Sequence, residues 1–255
     1  MQPYLAQLFA LDGRRALVTG ASSGLGWHFA QTLAAAGAEV IVTARRDAPL
    51  QALVASIEAS GGQARAFALD VTNRDDVCRV LDKVGPLDVL VNNAGVSDSQ
   101  PVLDCEDGSW DRVINTNLKG AWTMAQESAR RMVAARQGGS LINVTSILAS
   151  RVAGAVCPYL AAKAGLAHLT RAMALELSRH DIRVNSLAPG YVVTDLNEAF
   201  LASDAGQRLR ARIPARRFSQ PADLDGALLL LASDAGRGMN GSEIVVDSGH
   251  LCSSL

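Results

Sequence analysis

Residues 15–26 read Arg15-Ala16-Leu17-Val18-Thr19-Gly20-Ala21-Ser22-Ser23-Gly24-Leu25-Gly26. The first five are a short apolar run of the kind that forms a buried strand. Glycines follow at 20, 24 and 26, and an alanine-rich amphipathic run from Leu25 to Ala36 is closed by Gly37. The order spelled is strand, glycine turn, helix. Glycines let a backbone approach a phosphate, and the free amides of a helix N-terminus stabilise its charge. The spacing is G-x-x-x-G-x-G, not the commoner G-x-G-x-x-G. The turn therefore points to a dinucleotide site chiefly by standing between the first strand and the first helix.

The same alternation continues outward. Apolar runs at Val40–Thr43, Ala64–Leu69, Leu87–Val91, Ser140–Val144, Arg183–Leu187 and Glu243–Val246 read as six further strands. Between them lie helical patterns at Pro49–Ser60, Arg74–Val84, Gly108–Arg136, Pro158–His180 and Ala222–Ala232, with a less regular segment from Tyr191 to Gln220. Strands separated by helices predict a parallel sheet covered on both faces. With no linker, repeat or low-complexity stretch, residues 1–255 are expected to form one α/β domain, a Rossmann-like doubly wound sheet of about seven strands. Ligands in such sheets bind outside the carboxyl ends of the strands.

Composition sets the bounds. The chain has 255 residues, 49% of them hydrophobic, and a net charge of −1. Balanced charge gives no reason to expect a nucleic-acid partner. No apolar run reaches the ~18 residues of a membrane span. Cys78, Cys105, Cys157 and Cys252 are scattered, as expected of free thiols in a reducing compartment. Met1–Tyr4 lack a basic region followed by an apolar core, so a cytoplasmic protein is expected. His28, His168, His180 and His250 show no metal-ligand spacing, so no metal is expected.

One pair carries chemistry. Tyr159 and Lys163 are four apart in a helical stretch, one turn apart on one face. They belong to only three tyrosines and three lysines in the chain. An ammonium beside a phenol stabilises the phenolate, bringing a group with a reference pKa of about 10 towards neutrality. The alternative is an accidental pair on a solvated face. A competing motif lies in the glycine turn: Gly20-Ala21-Ser22-Ser23-Gly24 fits the G-x-S-x-G nucleophile elbow, and Asp247 and His250 follow in triad order. An elbow belongs after several strands, and a serine hydrolase leaves Tyr159 and Lys163 unexplained.

Taken together, these stretches resemble the short-chain dehydrogenase/reductase family, in its single-domain branch, over essentially the whole chain. The matching residues are Thr19-Gly20 through Gly26, Asn92-Asn93-Ala94-Gly95, Asn117, Ser146, Tyr159, Lys163, Pro189-Gly190 and Thr194. The resemblance implies reversible hydride transfer between a nicotinamide and a carbonyl or secondary alcohol. It implies Tyr159 as general acid and base, and Ser146, thirteen residues earlier, as the hydroxyl that bonds the substrate oxygen. Lys163 would lower the tyrosine pKa and bind the nicotinamide ribose. Asn117 would hold a water and extend a proton relay to Lys163. Thr145 is the alternative to Ser146, and a locally bonded helix asparagine is the alternative for Asn117.

For the cofactor, the resemblance implies contacts from Gly20, Ser22, Ser23, Gly24, Leu25 and Gly26 in the turn. It adds Asp70 and Val71 at the adenine, Asn92, Ala94 and Gly95 at the ribose, and Pro189, Gly190, Val192 and Thr194 at the nicotinamide. Asp70 has an alternative use as a helix cap, although Thr72 and Asn73 stand nearer that helix. An NAD site usually carries an acidic residue at the end of the second strand. Here that end reads Thr43-Ala44-Arg45-Arg46, and two guanidiniums suit a 2′-phosphate. NADP is the expected cofactor, with NAD as the alternative; Ser23 stands where many NADP-using relatives carry a basic residue. The resemblance also implies a homo-oligomer, tetramer or dimer, packed through the two long central helices; the alanine-bearing face near Ala161, Ala164 and Ala167 would permit close helix approach, with internal packing as the equal alternative. The substrate is expected to be a small ketone, sugar or 3-oxoacyl compound, met by the variable segment Tyr191–Phe218 with its five arginines. A dinucleotide-binding protein without turnover is the alternative from another functional class.

Overall fold

Seven strands, β1 (Arg15–Thr19), β2 (Glu39–Ala44), β3 (Gln63–Ala68), β4 (Val89–Asn92), β5 (Gly139–Val144), β6 (Ile182–Pro189) and β7 (Glu243–Val246), form one sheet in the order β3-β2-β1-β4-β5-β6-β7. Every neighbouring pair is parallel. The computed structural model describes residues 3–194 and 197–253. Met1 and Gln2 of the N-terminal reading, and Asp195 and Leu196 within the variable segment, lie outside the described residues. Strand order reverses between β1 and β4, which makes the gap at their carboxyl ends the topological switch point.

Period-two alternation divides the strands between two cores. Ala16, Val18, Val40, Val42, Val89 and Val91 face one apolar cluster, while Leu17, Ile41 and Leu90 face the other. The first cluster is completed by helices α2 (Gly24–Ala35), α3 (Asp47–Ala59) and α10 (Asp225–Ala232); α1 (Pro3–Phe9) is a short helix preceding β1. The second is completed by α4 (Arg74–Val84), α6 (Ala121–Ala134) and α7 (Cys157–Leu177). Local signals set the helix ends. Asn73 caps α4 by accepting from the Asp76 amide at 3.1 Å, and Pro158 occupies the first turn of α7.

Two expectations change. The long pattern at 108–136 is not one helix: α5 (Asp107–Ile114) passes into a π-helical segment, Asn115–Gly120, before α6. Inserted π turns recur at functional sites, and this one contains Asn117. The segment after Tyr191 is more ordered than its sequence pattern suggests, with short helices α8 (Glu198–Ala202) and α9 (Asp204–Arg210).

A buried polar network seats α7 on the sheet. Asn92 Nδ2 donates to Asn143 Oδ1 and to Ala121 O, both at 2.9 Å. Asn143 Nδ2 donates to Thr170 Oγ1 at 2.9 Å, Ser186 Oγ bonds the same oxygen at 3.1 Å, and Thr170 donates to Leu166 O. Strands β5 and β6 thereby share one hydroxyl on α7, with β4 joined through Asn143, which fixes where Tyr159 and Lys163 fall.

Candidate active site

The glycine turn packs too closely for side chains. Gly20 has φ 67°, and a Cβ there would lie 2.8 Å from Ala94 Cα; a Cβ on Gly26 would lie 2.4 Å from Gly20 O. Thr19 Oγ1 accepts from the Asn93 and Ala94 amides at 3.0 Å each, and Asn93 Nδ2 donates to Thr19 O at 2.9 Å. These bonds lock the ends of β1 and β4 across the switch point. Ser23 precedes α2 without making a side-chain cap bond, so its hydroxyl faces the cleft uncommitted.

A cleft of about 700 Å³ opens there. Of the expected cofactor residues, Gly20, Ser22, Ser23, Gly24, Leu25, Arg45, Arg46, Asp70, Val71, Ala94, Gly95 and Thr194 line it. Asn92 does not. It follows Leu90 by two on β4, so its side chain turns to the α6 side and is spent on Ala121 and Asn143. Asn93 takes its place in the lining. Gly26, Pro189, Gly190 and Val192 are also absent from the lining, as are Tyr159 and Lys163, which were expected at the nicotinamide ribose. Gly26 allows helix–turn contact, Gly190 lets the chain pass Asp247, and Val192 bridges to Ser219. Thr43, Arg112, Asn115, Thr116 and Lys119 line the cleft without having been expected. Thr43 stood at a strand end and was open to the same rule that found Arg45; the others depend on which helix face turns inward.

Among the described residues, no acidic side chain from the end of β2 lines the cleft beside Arg45 and Arg46. Glu39 lies at the opposite end of β2, paired with Arg15 at 2.9 Å and Arg65 at 2.8 Å. Burial raises the Glu39 pKa, but the two guanidiniums outweigh it and hold the carboxyl below its usual range. Among the described residues, Arg45 and Arg46 form no ion pair. Asp70 does not cap α4: its Oδ1 accepts from the Thr72 amide at 2.9 Å and hydroxyl at 2.7 Å. The close glycine cradle, the uncommitted serine and the unpaired arginines fit a dinucleotide carrying a 2′-phosphate.

The second half of the site sits on β5 and α7. Ser146 follows β5, 8% exposed, and its Oγ accepts from the Leu148 amide at 3.1 Å. Thr145 points away, bonding Leu187 O at 3.3 Å and Glu243 Oε1 at 3.2 Å. Tyr159 is half-buried on α7. Its phenol departs from the expected direction: burial pushes its pKa up, the Ser146 hydroxyl draws it back, and the nearby Tyr191 phenol pushes it up again. Lys163 is buried, with Nζ 5.5 Å from the Tyr159 ring centroid. Burial lowers the lysine's own pKa to about 8. In the protein alone, desolvation therefore dominates both members of the pair.

Asn117 is 1% exposed, and its side chain is already used. Oδ1 accepts from the Val96 amide and Nδ2 donates to Val96 O, both at 2.8 Å. It is a clamp on the loop after β4 rather than a locally bonded helix asparagine. The hydrolase reading lacks its Asp–His link: the two Asp247 oxygens accept from the Gly249 and Leu251 amides and make no bond to the His250 ring. No cluster of potential metal ligands occurs among the described residues. The described cysteines are free thiols.

Comparison with known proteins gives the same frame. The family model described as enoyl-(acyl carrier protein) reductase matches residues 20–250. Gluconate 5-dehydrogenase of Gluconobacter oxydans (strain 621H) is 36% identical over 247 residues, 95% of this chain and 96% of that protein. The 5-keto-D-gluconate 5-reductase of Escherichia coli (strain K12) is 34% identical, covering 96% of this chain and 98% of that one. The crystal structure of a gluconate 5-dehydrogenase from Burkholderia cenocepacia J2315, in complex with NADP and tartrate, superposes with a TM-score of 0.94. It is 35% identical and spans 98% of this chain and 100% of its own. A single parallel sheet with its cleft at the β1/β4 switch point, matched over nearly its full length, makes this chain a member of the short-chain dehydrogenase/reductase family of oxidoreductases.

Proposed function

We propose that the protein transfers a hydride reversibly between NADP(H) and a carbonyl or secondary alcohol of a small polyhydroxy acid, with Tyr159 as proton donor in reduction and base in oxidation. The observation that carries this is the meeting of Ser146, Tyr159 and Lys163 at the carboxyl end of β5, the strand next to β4 at the switch point. The cofactor supplies or accepts the hydride. Ser146 Oγ orients the substrate oxygen, and Tyr159 Oη gives it a proton as its negative charge develops. Lys163, tied to Val144 O, holds positive charge near the phenol and would bond the nicotinamide ribose. Asn117 acts as a positioning residue through Val96 rather than as a relay through its own amide.

Arg45 and Arg46 would hold the 2′-phosphate, with Ser22, Ser23 and Gly24 at the pyrophosphate and Asp70 and Val71 at the adenine. Thr194 would bond the carboxamide. NADP rather than NAD follows from the two arginines and the absence of an acidic side chain at the end of β2. The polyhydroxy-acid class is supported by relatives named for gluconate and 5-keto-D-gluconate, and by tartrate, a hydroxylated dicarboxylate, in a solved relative. A cytoplasmic site of action accords with the free thiols. Self-association would use the outer face of α6 and α7. There Trp122, Val133, Met173 and Leu177 line a groove, and Ala161 and Ala164 are exposed.

The test is NADPH oxidation with a panel of keto sugar acids, ketones and 3-oxoacyl thioesters, repeated with NADH. Turnover of a keto sugar acid with a preference for NADPH is the expected result. Tight dinucleotide binding with no turnover across the panel would instead leave a binding protein.

A further inference from the structure

Beside this site stands a buried polar side chain to which the mechanism gives no task. His250 follows β7, is 7% exposed, and has an Nδ1 buried without a hydrogen-bond partner. Its ring lies against Tyr191, centroids 5.7 Å apart at 39°. Tyr191 follows the end of β6, the strand between β5 and β7. Along the carboxyl edge of the sheet the order is therefore Ser146, Tyr191, His250. The Tyr191 phenol is near enough to Tyr159 to oppose its ionisation.

The imidazole is held in a constrained frame. Arg151 Nη1 donates to His250 O and, at 2.7 Å, to Ser253 Oγ. Asp247 accepts from the Gly249 amide at 2.9 Å and the Leu251 amide at 2.6 Å. Ser248 takes φ 57°, a left-handed conformation that costs a serine energy. Gly190 passes so near Asp247 that a Cβ would lie 2.8 Å from its Cα.

The charges around the ring are mixed. Asp247, its oxygens bonded to backbone amides, stands against the Arg151 and Arg212 guanidiniums. Burial first, then Arg151, lowers the histidine's pKa against the pull of Asp247, with Arg212 adding to the lowering. The ring is thus a neutral donor and acceptor near pH 7. With Nδ1 enclosed and unpartnered, the tautomer carrying N–H on Nε2 keeps the donor available.

Resting on the reductase reading above, we infer that His250 and Tyr191 determine specificity: imidazole and phenol hydrogen-bond hydroxyls of the substrate chain beyond the reacting carbon, and Arg151 and Arg212 favour a carboxylate at its end. The substrate class so selected is an open-chain polyhydroxy acid. A site built to pair polar groups discriminates against analogues that leave those groups unpaired. Apolar ketones and acyl thioesters are such analogues.

His250→Phe keeps an aromatic ring against Tyr191 and removes both nitrogens; Tyr191→Phe removes only the hydroxyl. Initial rates with NADPH are measured on a panel of keto sugar acids and on an apolar aryl ketone. The expected result for either variant is a KM for the keto acid raised about tenfold or more beyond any change in the KM for the apolar ketone. An unchanged keto-acid KM in both variants overturns the inference while the reaction of the wild type stands. A wild type that reduces neither kind of substrate overturns the proposed reaction and this inference with it. If His250→Phe does not fold by circular dichroism, Tyr191→Phe decides by the same KM comparison.

Discussion

Lys163 Nζ donates to the backbone carbonyl of Val144 at 2.7 Å. The bond ties the cation to the strand that ends two residues before Ser146, so serine and lysine are positioned by the same element. Nothing acidic pairs with the ammonium among the described residues, and burial brings its pKa down to about 8. Such a cation is destabilising in the folded protein and is kept for what it does beside Tyr159.

The cost has a sign that can be measured. Below about pH 8 both folded and unfolded chains hold the lysine proton, and the folded state bears the full desolvation penalty. Between about 8 and the ordinary lysine value of 10.5 the folded state has released the proton while the unfolded state still binds it, so stability from this group rises with pH. The swing is on the order of 3 kcal/mol. Lys163→Met removes the group. In urea denaturation its stability relative to wild type should therefore decline steadily from about pH 8 to about 10.5. A difference independent of pH would show that the lysine is not desolvated as the geometry indicates.

Tyr159 yields a directional prediction. With its pKa raised by burial, the phenol is the resident form at neutral pH, ready to donate. Reduction should be flat through neutrality, whereas alcohol oxidation, which needs the phenolate, should rise towards alkaline pH. Tyr159→Phe should lower kcat by about 10²- to 10⁴-fold in both directions while leaving NADPH binding intact. Steady-state rates and fluorescence titration of NADPH test both halves. Oxidation that falls with rising pH would remove Tyr159 from the role of base.

What the sequence disclosed, and what it withheld, follows from the range of each interaction. The Tyr159/Lys163 spacing, the strand–turn–helix at Gly20 and the arginines after β2 are local patterns, readable from periodicity. Lys163 on Val144, Asn117 on Val96 and His250 on Tyr191 depend on which strand lies beside which and on how α7 docks, and no local pattern carries that. The choice of Asn93 over Asn92 was within reach, because alternation along β4 already assigns Asn92 to the side of Leu90. The direction of the Tyr159 pKa was not, because it depends on how deeply the phenol is buried.

Arg45 and Arg46 give a cofactor prediction. Both line the cleft, without ion pairs among the described residues. Replacing both by Ala should raise KM for NADPH by about 10- to 100-fold and barely change KM for NADH, since the lost contacts are to the 2′-phosphate alone. The NADPH advantage should also shrink with added salt in the wild type and not in the variant. Equal losses for the two cofactors would mean that the arginines act on something common to both.

Asn117 separates a clamp from a relay. If the side chain serves Val96, then Asn117→Ala leaves a loop amide and carbonyl without their partners, at a cost of about 1–3 kcal/mol each where they stay shielded from water. The loop after β4 then loosens at Gly95 and Val96, which line the cleft, and KM for NADPH rises along with any loss of kcat. Asn117→Asp keeps an acceptor for the Val96 amide but sets a carboxylate oxygen against the Val96 carbonyl. It should therefore lose nearly as much stability as the alanine variant. Urea midpoints and KM for NADPH, measured on both variants, decide the matter. If the side-chain amide served only as a proton relay, kcat would fall in both with stability and KM unchanged, and the Val96 bonds would be incidental to function.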